Sequence, residues 1–182
     1  MPSREKEYKM SINKKLSFRS LINVGAIVLT LAALLTGPNV SAQTAQTTLE
    51  SEYIMSMVIQ LAGAPMDTGH TSVAPLGGGT FSGPGLNGII LPGGADWMTQ
   101  ESGHSSLDVR VTLQTDDGEY IYLSYVGVMH PTESGLYWKV TPNFQTSSEK
   151  YDWVNHIVAV GQGYLEDGDF ANGVFYDIFQ IL

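Results

Sequence analysis

The chain has 182 residues, no cysteine and a formal charge of −9 from 9 Lys and Arg against 18 Asp and Glu. Six of the nine basic residues lie within residues 1–42, so residues 43–182 carry 16 acids and 3 bases. That balance excludes nucleic acid and anionic membrane surfaces as natural partners, and the absence of cysteine leaves the hydrophobic core to hold the fold without disulfides.

Residues 1–42 read as a secretory signal peptide. Lys6, Lys9, Lys14, Lys15 and Arg19 precede the apolar run Leu21–Leu35, which breaks at Gly37-Pro38 and is followed by the small-residue site Val40-Ser41-Ala42. The run falls short of the roughly 20 apolar residues of a spanning helix, so cleavage leaves no membrane span. Met1 and Met10 are both candidate starts. The expected product is periplasmic or secreted, a single domain over residues 43–182 of a size that closes one core.

From Glu50 to Leu61 the pattern alternates, with Tyr53, Met55, Met57, Ile59 and Leu61 on one face, which predicts a strand. Residues 63–76 are expected to be a loop by their Gly, Pro, Asp and Ser content. Gly77–Trp97 holds eight glycines and two prolines, predicting short extended runs at Gly79–Ser82 and Leu86–Leu91 between turns at Gly83-Pro84-Gly85 and Pro92-Gly93-Gly94. Gly83 to Gly88 formally matches G-x-G-x-x-G. A dinucleotide fingerprint must open a helix, whereas Ile89-Ile90-Leu91-Pro92 continues as strand, so no nucleotide cofactor is expected.

Two hairpins follow. Thr115-Asp116-Asp117-Gly118-Glu119 fits a three-residue loop with Gly118 left-handed, setting Thr115 opposite Glu119. Val109, Val111 and Leu113 then share an apolar face with Ile121, Leu123 and Tyr125, and Arg110 and Thr112 share the polar face with Tyr122 and Ser124. If Ser102-Gly103-His104 is also a three-residue loop, Asp96 falls opposite Arg110 and Trp97 joins the apolar face beside Val109. A loop one residue different pairs Trp97 with Arg110 instead. Tyr137–Gln145 predicts a strand with a bulge or edge at Pro142. Trp153–Leu165 and Val174–Leu182 predict the last two strands, separated by the acidic turn Glu166–Asp169. No segment carries a helical apolar stripe. The fold class is therefore all-β, a single closed or nearly closed antiparallel barrel of about eight to nine strands in which the first and last strands pair.

The segments GGTFSGPGLNGIILPGGADW, LDVRVTLQTDDGEYIYL and TPNFQTSSEKYDWVN resemble the bacterial and fungal family known as domain of unknown function 3237. The resemblance covers nearly all of residues 43–182. It implies a lipocalin-like or allene-oxide-cyclase-like β-barrel, often oligomeric, of unsettled biochemical function. The family's polar and aromatic motif positions fall on Asp96, Trp97, Asp108, Arg110, Asp116, Asp117, Tyr151, Trp153 and Asn155. This chain departs from the family in its signal peptide, and in carrying His70-Thr71-Ser72-Val73 where relatives have arginines, so the resemblance does not carry an anionic ligand across.

Asp96 and Arg110 are the candidate catalytic pair, a proton-handling carboxylate and its charge partner. An exposed ion pair on the outer wall is the bland counterpart. Trp97, Asp108 and Tyr122 surround that pair. Tyr151, Trp153 and Asn155, on one face if extended, are candidates for a barrel mouth or for a core plug. Asp116 and Asp117 are expected to form the turn. The four histidines share no metal-ligand spacing, and neither a zinc pattern, a calcium loop nor a nucleophile elbow is present. Two functions are expected to compete. One is an exported barrel binding a small apolar or aromatic molecule, with cofactor-free isomerase, cyclase or lyase chemistry on a carbonyl compound as its enzymatic form. The other is a non-catalytic envelope or secreted protein that assembles into a homo-oligomer through its outer face.

Overall fold

The computed structural model describes residues 48–182; the expected signal segment, residues 1–42, lies outside them. Ten strands form: β1 (Ser51–Leu61), β2 (Met66–Asp67), β3 (Thr71–Ser82), β4 (Gly88–Ile90), β5 (Ala95–Glu101), β6 (His104–Thr115), β7 (Tyr120–Thr132), β8 (Gly135–Gln145), β9 (Ala159–Tyr164) and β10 (Val174–Ile181). Eight of them close an antiparallel barrel in the cyclic order β1, β3, β5, β6, β7, β8, β9, β10. β2 pairs only with β3, while β4 bridges β3 and β6 at the far end of the gap that β5 fills. Closure comes from the expected pairing of the first and last strands, Ser51 opposite Ile181 through Ile59 opposite Val174, so no long edge is left exposed.

Alternation decides the walls. Leu107, Val109, Val111 and Leu113 of β6 face inward with Ile121, Leu123 and Tyr125 of β7, in the register read from the 115–119 turn. The Thr115 N–H donates to the Glu119 carbonyl at 2.9 Å, and Gly118 is left-handed at φ 90°. Met55, Met57 and Ile59 of β1 and Tyr176 and Ile178 of β10 complete the inner wall. Each such side chain contributes roughly 1.5–3 kcal/mol by leaving water. The end near this turn is plugged by Leu86, Phe81, Phe144 and Val154, and the 83–87 turn is tied to it by the Asp116 N–H donating to the Asn87 carbonyl. β8 runs straight through Pro142 while its pairing with β9 stops at Val140, so the missing N–H costs no ladder bond.

Three expectations need correction. The predicted loop 63–76 contains β2 and the first half of β3, because Ser72, Val73 and Ala74 pair with Met98, Trp97 and Asp96. Residues 152–156 form a 3-10 turn rather than a strand, so the last-but-one strand starts at Ala159. The side chain of Asn155 staples that turn by accepting from the Thr146 N–H and donating to the Thr146 carbonyl, both at 2.9 Å. The third concerns β5.

Candidate functional site

The β5–β6 turn has two residues, Ser102 and Gly103, with Gly103 left-handed at φ 90° and Glu101 opposite His104. Two residues instead of three slip the register by one, which turns each β5 side chain to the other face. Asp96 therefore lies opposite Val109 and Ala95 opposite Arg110. The expected Asp96–Arg110 pair does not form. Arg110 sits on the outer wall, donating to Asp108 Oδ2 at 3.0 Å with its guanidinium 5.1 Å from the centre of the Trp97 ring. Trp97 thus leaves the apolar face for the outside, where a planar cation replaces the core as its cover. Asp108, Tyr122 and Ser124 line shallow outer grooves beside Arg110.

Inside, the end away from the plug stays open. A chamber of about 310 Å³ is walled by Leu107, Val109, Tyr125, Trp138 and Tyr176 deep in the barrel. Met98, Met129 and Leu61 stand higher, and Pro65 and Phe170 from the two adjoining connections stand among the lining residues. Asp96 is the one charged side chain of the lining. Burial pushes its carboxyl up to about 6, the N–H of Asp108 pulling it down and the Asp108 charge pushing it further up. Asp96 Oδ1 is buried without a hydrogen-bond partner, and so is Nε1 of Trp138. These are the two such side-chain atoms among the described residues, and both residues line this chamber.

Around them lie polar-tipped aromatics. Tyr125 is next but one to Asp96 across the sheet, through Val109. Its ring meets that of Tyr176 edge-on at 5.2 Å, and Tyr176 meets Trp138 edge-on at 5.5 Å. Burial raises both phenols far above the usual tyrosine range and the nearby Asp96 charge pushes the same way, while Tyr125 and the Trp138 indole N–H, both close enough to reach the Tyr176 hydroxyl, pull Tyr176 partly back down. Both are neutral hydrogen-bond donors at any working pH. An ionisable carboxyl, two neutral hydroxyls and an indole N–H in an apolar chamber can bind an oxygen-bearing molecule and exchange a proton with it.

The other predicted positions are dispersed. Tyr151 is buried, and its hydroxyl donates to Asp117 Oδ1 at 2.9 Å; Lys150 and Thr115 also bond to Asp117. These bonds, that of Lys150 first, hold the Asp117 carboxyl well below its usual range, so Asp117 clasps the closed end beyond its expected turn role. Trp153 is exposed and Asn155 is the staple described above. Sequence reasoning missed Tyr125, Trp138 and Tyr176 as site residues. The available signal was a polar-tipped aromatic on an inward face, already visible for Tyr125 in the 115–119 register. Among the described residues no group of three or more His, Cys, Asp and Glu could hold a metal ion.

A β-barrel-like protein from Acinetobacter baumannii superposes with a TM-score of 0.70 at 31% identity, over 77% of this chain and 100% of that one. A UPF0311 protein from Rhodopseudomonas palustris is 26% identical over 154 residues, 74% of this chain and 98% of its own. A shorter match, 35% identical over 86 residues and 52% of the relative's length, is to the hydroalkoxylation enzyme phnH of Penicillium herquei. The family described as protein of unknown function DUF3237 matches residues 49–181, nearly the whole barrel, and the chain belongs to that family.

Proposed function

We propose that the chamber binds a small, largely apolar or aromatic carbonyl compound and that Asp96 moves a proton on it, as a cofactor-free isomerase, cyclase or lyase. The observation that carries this reading is a carboxyl, one oxygen unpartnered, on the wall of an otherwise apolar chamber. A carboxyl held near 6 shifts between base and acid close to neutral pH, and neutral donors beside it suit an oxygen on which charge develops. The hydroalkoxylation relative is consistent with it, since adding O–H across a double bond is a net proton transfer from oxygen to carbon. Arg110 is absent from this mechanism because it faces outward. Residues 1–42 support export as the setting.

The competing reading, an exported structural protein assembling through its outer wall, draws on exposed Trp97, Val126, Val128, Tyr137 and Val160 around an outer groove of about 910 Å³. One experiment separates the two. The purified protein is incubated in D₂O with propiophenone, and loss of the α-proton signal is followed by NMR. The expected result is exchange faster than buffer, rising with pH to a plateau above about 6 as Asp96 ionises, and returning to the buffer rate in Asp96→Asn. Exchange at the buffer rate in the wild type, or undiminished in the variant, overturns the proposal.

A further inference from the structure

At its closed end the barrel already holds an ammonium group. Lys150 bonds to Asp117 and its Nζ lies 4.8 Å from the centre of the Tyr151 ring, so a carboxylate and an aromatic ring share one cation. The chamber at the other end has the same parts without the cation. Asp96, on the inward side opposite Val109, is the one charged side chain of the lining, and Tyr125, Trp138 and Tyr176 stand with it. The three ion pairs among the described residues join Arg110, Lys150 and His156 to Asp108, Asp117 and Asp152, so none of them reaches Asp96. Its Oδ1 is buried without a hydrogen-bond partner. Leaving an ionised carboxylate without a countercharge in an apolar wall is costly, and a ligand that brings one recovers that cost.

The entrance selects for the same sign. The chain crosses the open end in residues 62–70, 101–104, 132–135 and 165–173, which hold Asp67, Glu101, Glu133, Glu166, Asp167 and Asp169, all exposed, and no lysine or arginine. A rim of one sign above a low-dielectric cavity draws in cations and repels anions. At about 310 Å³ the chamber is near the lower limit of ligand pockets, which suits one ring with a short arm.

We infer that the chamber takes a protonated aromatic amine, with its ammonium against the Asp96 carboxylate and its ring among Tyr125, Trp138 and Tyr176. This is a second class of ligand beside the carbonyl compound, and it stands whether or not Asp96 moves protons. An alkylammonium keeps its charge to about pH 10, as lysine does. Asp96 is ionised above about pH 6, so both charges are present at neutral pH. Paired with an ammonium, Asp96 is not free to act as a base, and the amine is then an inhibitor of proton transfer there.

The test compares 2-phenylethylamine, 2-phenylethanol and phenylacetate, one ring with a cationic, neutral or anionic end, by titration calorimetry at about pH 7.5. Met98 and Met129 line the chamber, so ¹³C in the methionine methyl groups reports on it, each resonance being identified as the one lost in Met98→Leu or Met129→Leu. The amine should bind about tenfold more tightly than the alcohol, the gain of a charge-assisted hydrogen bond, and phenylacetate should bind least. The amine and the alcohol should both shift the two methyl resonances through the ring current of the phenyl group. In Asp96→Asn the preference for the amine should fall to within about twofold while alcohol binding persists, which also shows that the variant is folded. Affinities for the three probes within about twofold in the wild type overturn the inference, and so does an amine preference that survives in Asp96→Asn or leaves both methyl resonances unmoved. Amine selectivity without propiophenone exchange would defeat proton transfer and leave this inference standing. Propiophenone exchange without amine selectivity would do the reverse.

Discussion

Asp96 is the residue at which stability and chemistry pull apart. A carboxyl raised to about 6 holds its proton more tightly in the folded chain than in the unfolded one, where about 3.9 is normal. Between those values the folded state binds more protons, so this group makes stability fall as pH rises, by up to about 1.4 kcal/mol per unit. Above about pH 6 the penalty is complete. Asp117 has the opposite sign, its lowered carboxyl adding stability that is lost on acidification. Asp96→Asn removes the first effect and leaves the second. Urea unfolding should find the variant more stable than the wild type at about pH 7.5 and level with it near pH 4. Equal midpoints at both would mean that the carboxyl ionises without cost and that its burial does not tune it.

At the scale of strands, the sequence was legible wherever a turn announced its length. The 115–119 turn set the inward face of β6 and β7 correctly because Gly118 follows two aspartates and the two apolar rows then coincide. The β5–β6 turn offered Ser102-Gly103-His104, and reading it as a three-residue loop like the 115–119 turn gave the wrong length. Cation–π cover by Arg110 is what makes the outward Trp97 acceptable, and it is a tertiary fact with no local pattern. Likewise Tyr151, Trp153 and Asn155 alternate as a strand would, but the Asn155 amide bonds to Thr146 nine residues back and bends the segment into a turn. β9 carries its own requirement. A methyl at Gly163 would press on the Trp138 ring, which Tyr176 meets edge-on. Gly163→Ala should therefore destabilise by about 1–3 kcal/mol and move the Trp138 indole N–H resonance, whereas an unchanged melting temperature with an unmoved resonance would show that the indole has room to spare.

The chamber belongs to the whole barrel rather than to any one strand, which is why sequence pattern reached the fold but not the site. It exists because Leu86, Phe144 and Val154 fill one end, while among the described residues Leu61, Met98, Met129 and Phe170 line the other around a cavity. Charge is the second property that only the whole chain shows. Residues 43–182 hold 16 acids and 3 bases, and each base is already committed to an aromatic ring: Arg110 over Trp97, Lys139 over Tyr137 and Lys150 over Tyr151. Among the described residues Arg110 and Lys150 also pair with Asp108 and Asp117, and the one other ion pair joins His156 to Asp152. Folding gathers these acids around one small barrel, so their mutual repulsion opposes the native state, while the exposed pairs offset little of it. Sodium chloride raised from about 10 mM to about 200 mM shortens the screening length from about 30 Å to below 10 Å, which weakens long-range repulsion more than contact pairs. The melting temperature at neutral pH should rise by a few degrees over that range. A fall would mean that the clasp of Asp117 by Lys150 and the Arg110–Asp108 pair outweigh the repulsion of all the remaining acids, and the barrel would then be held electrostatically at its closed end.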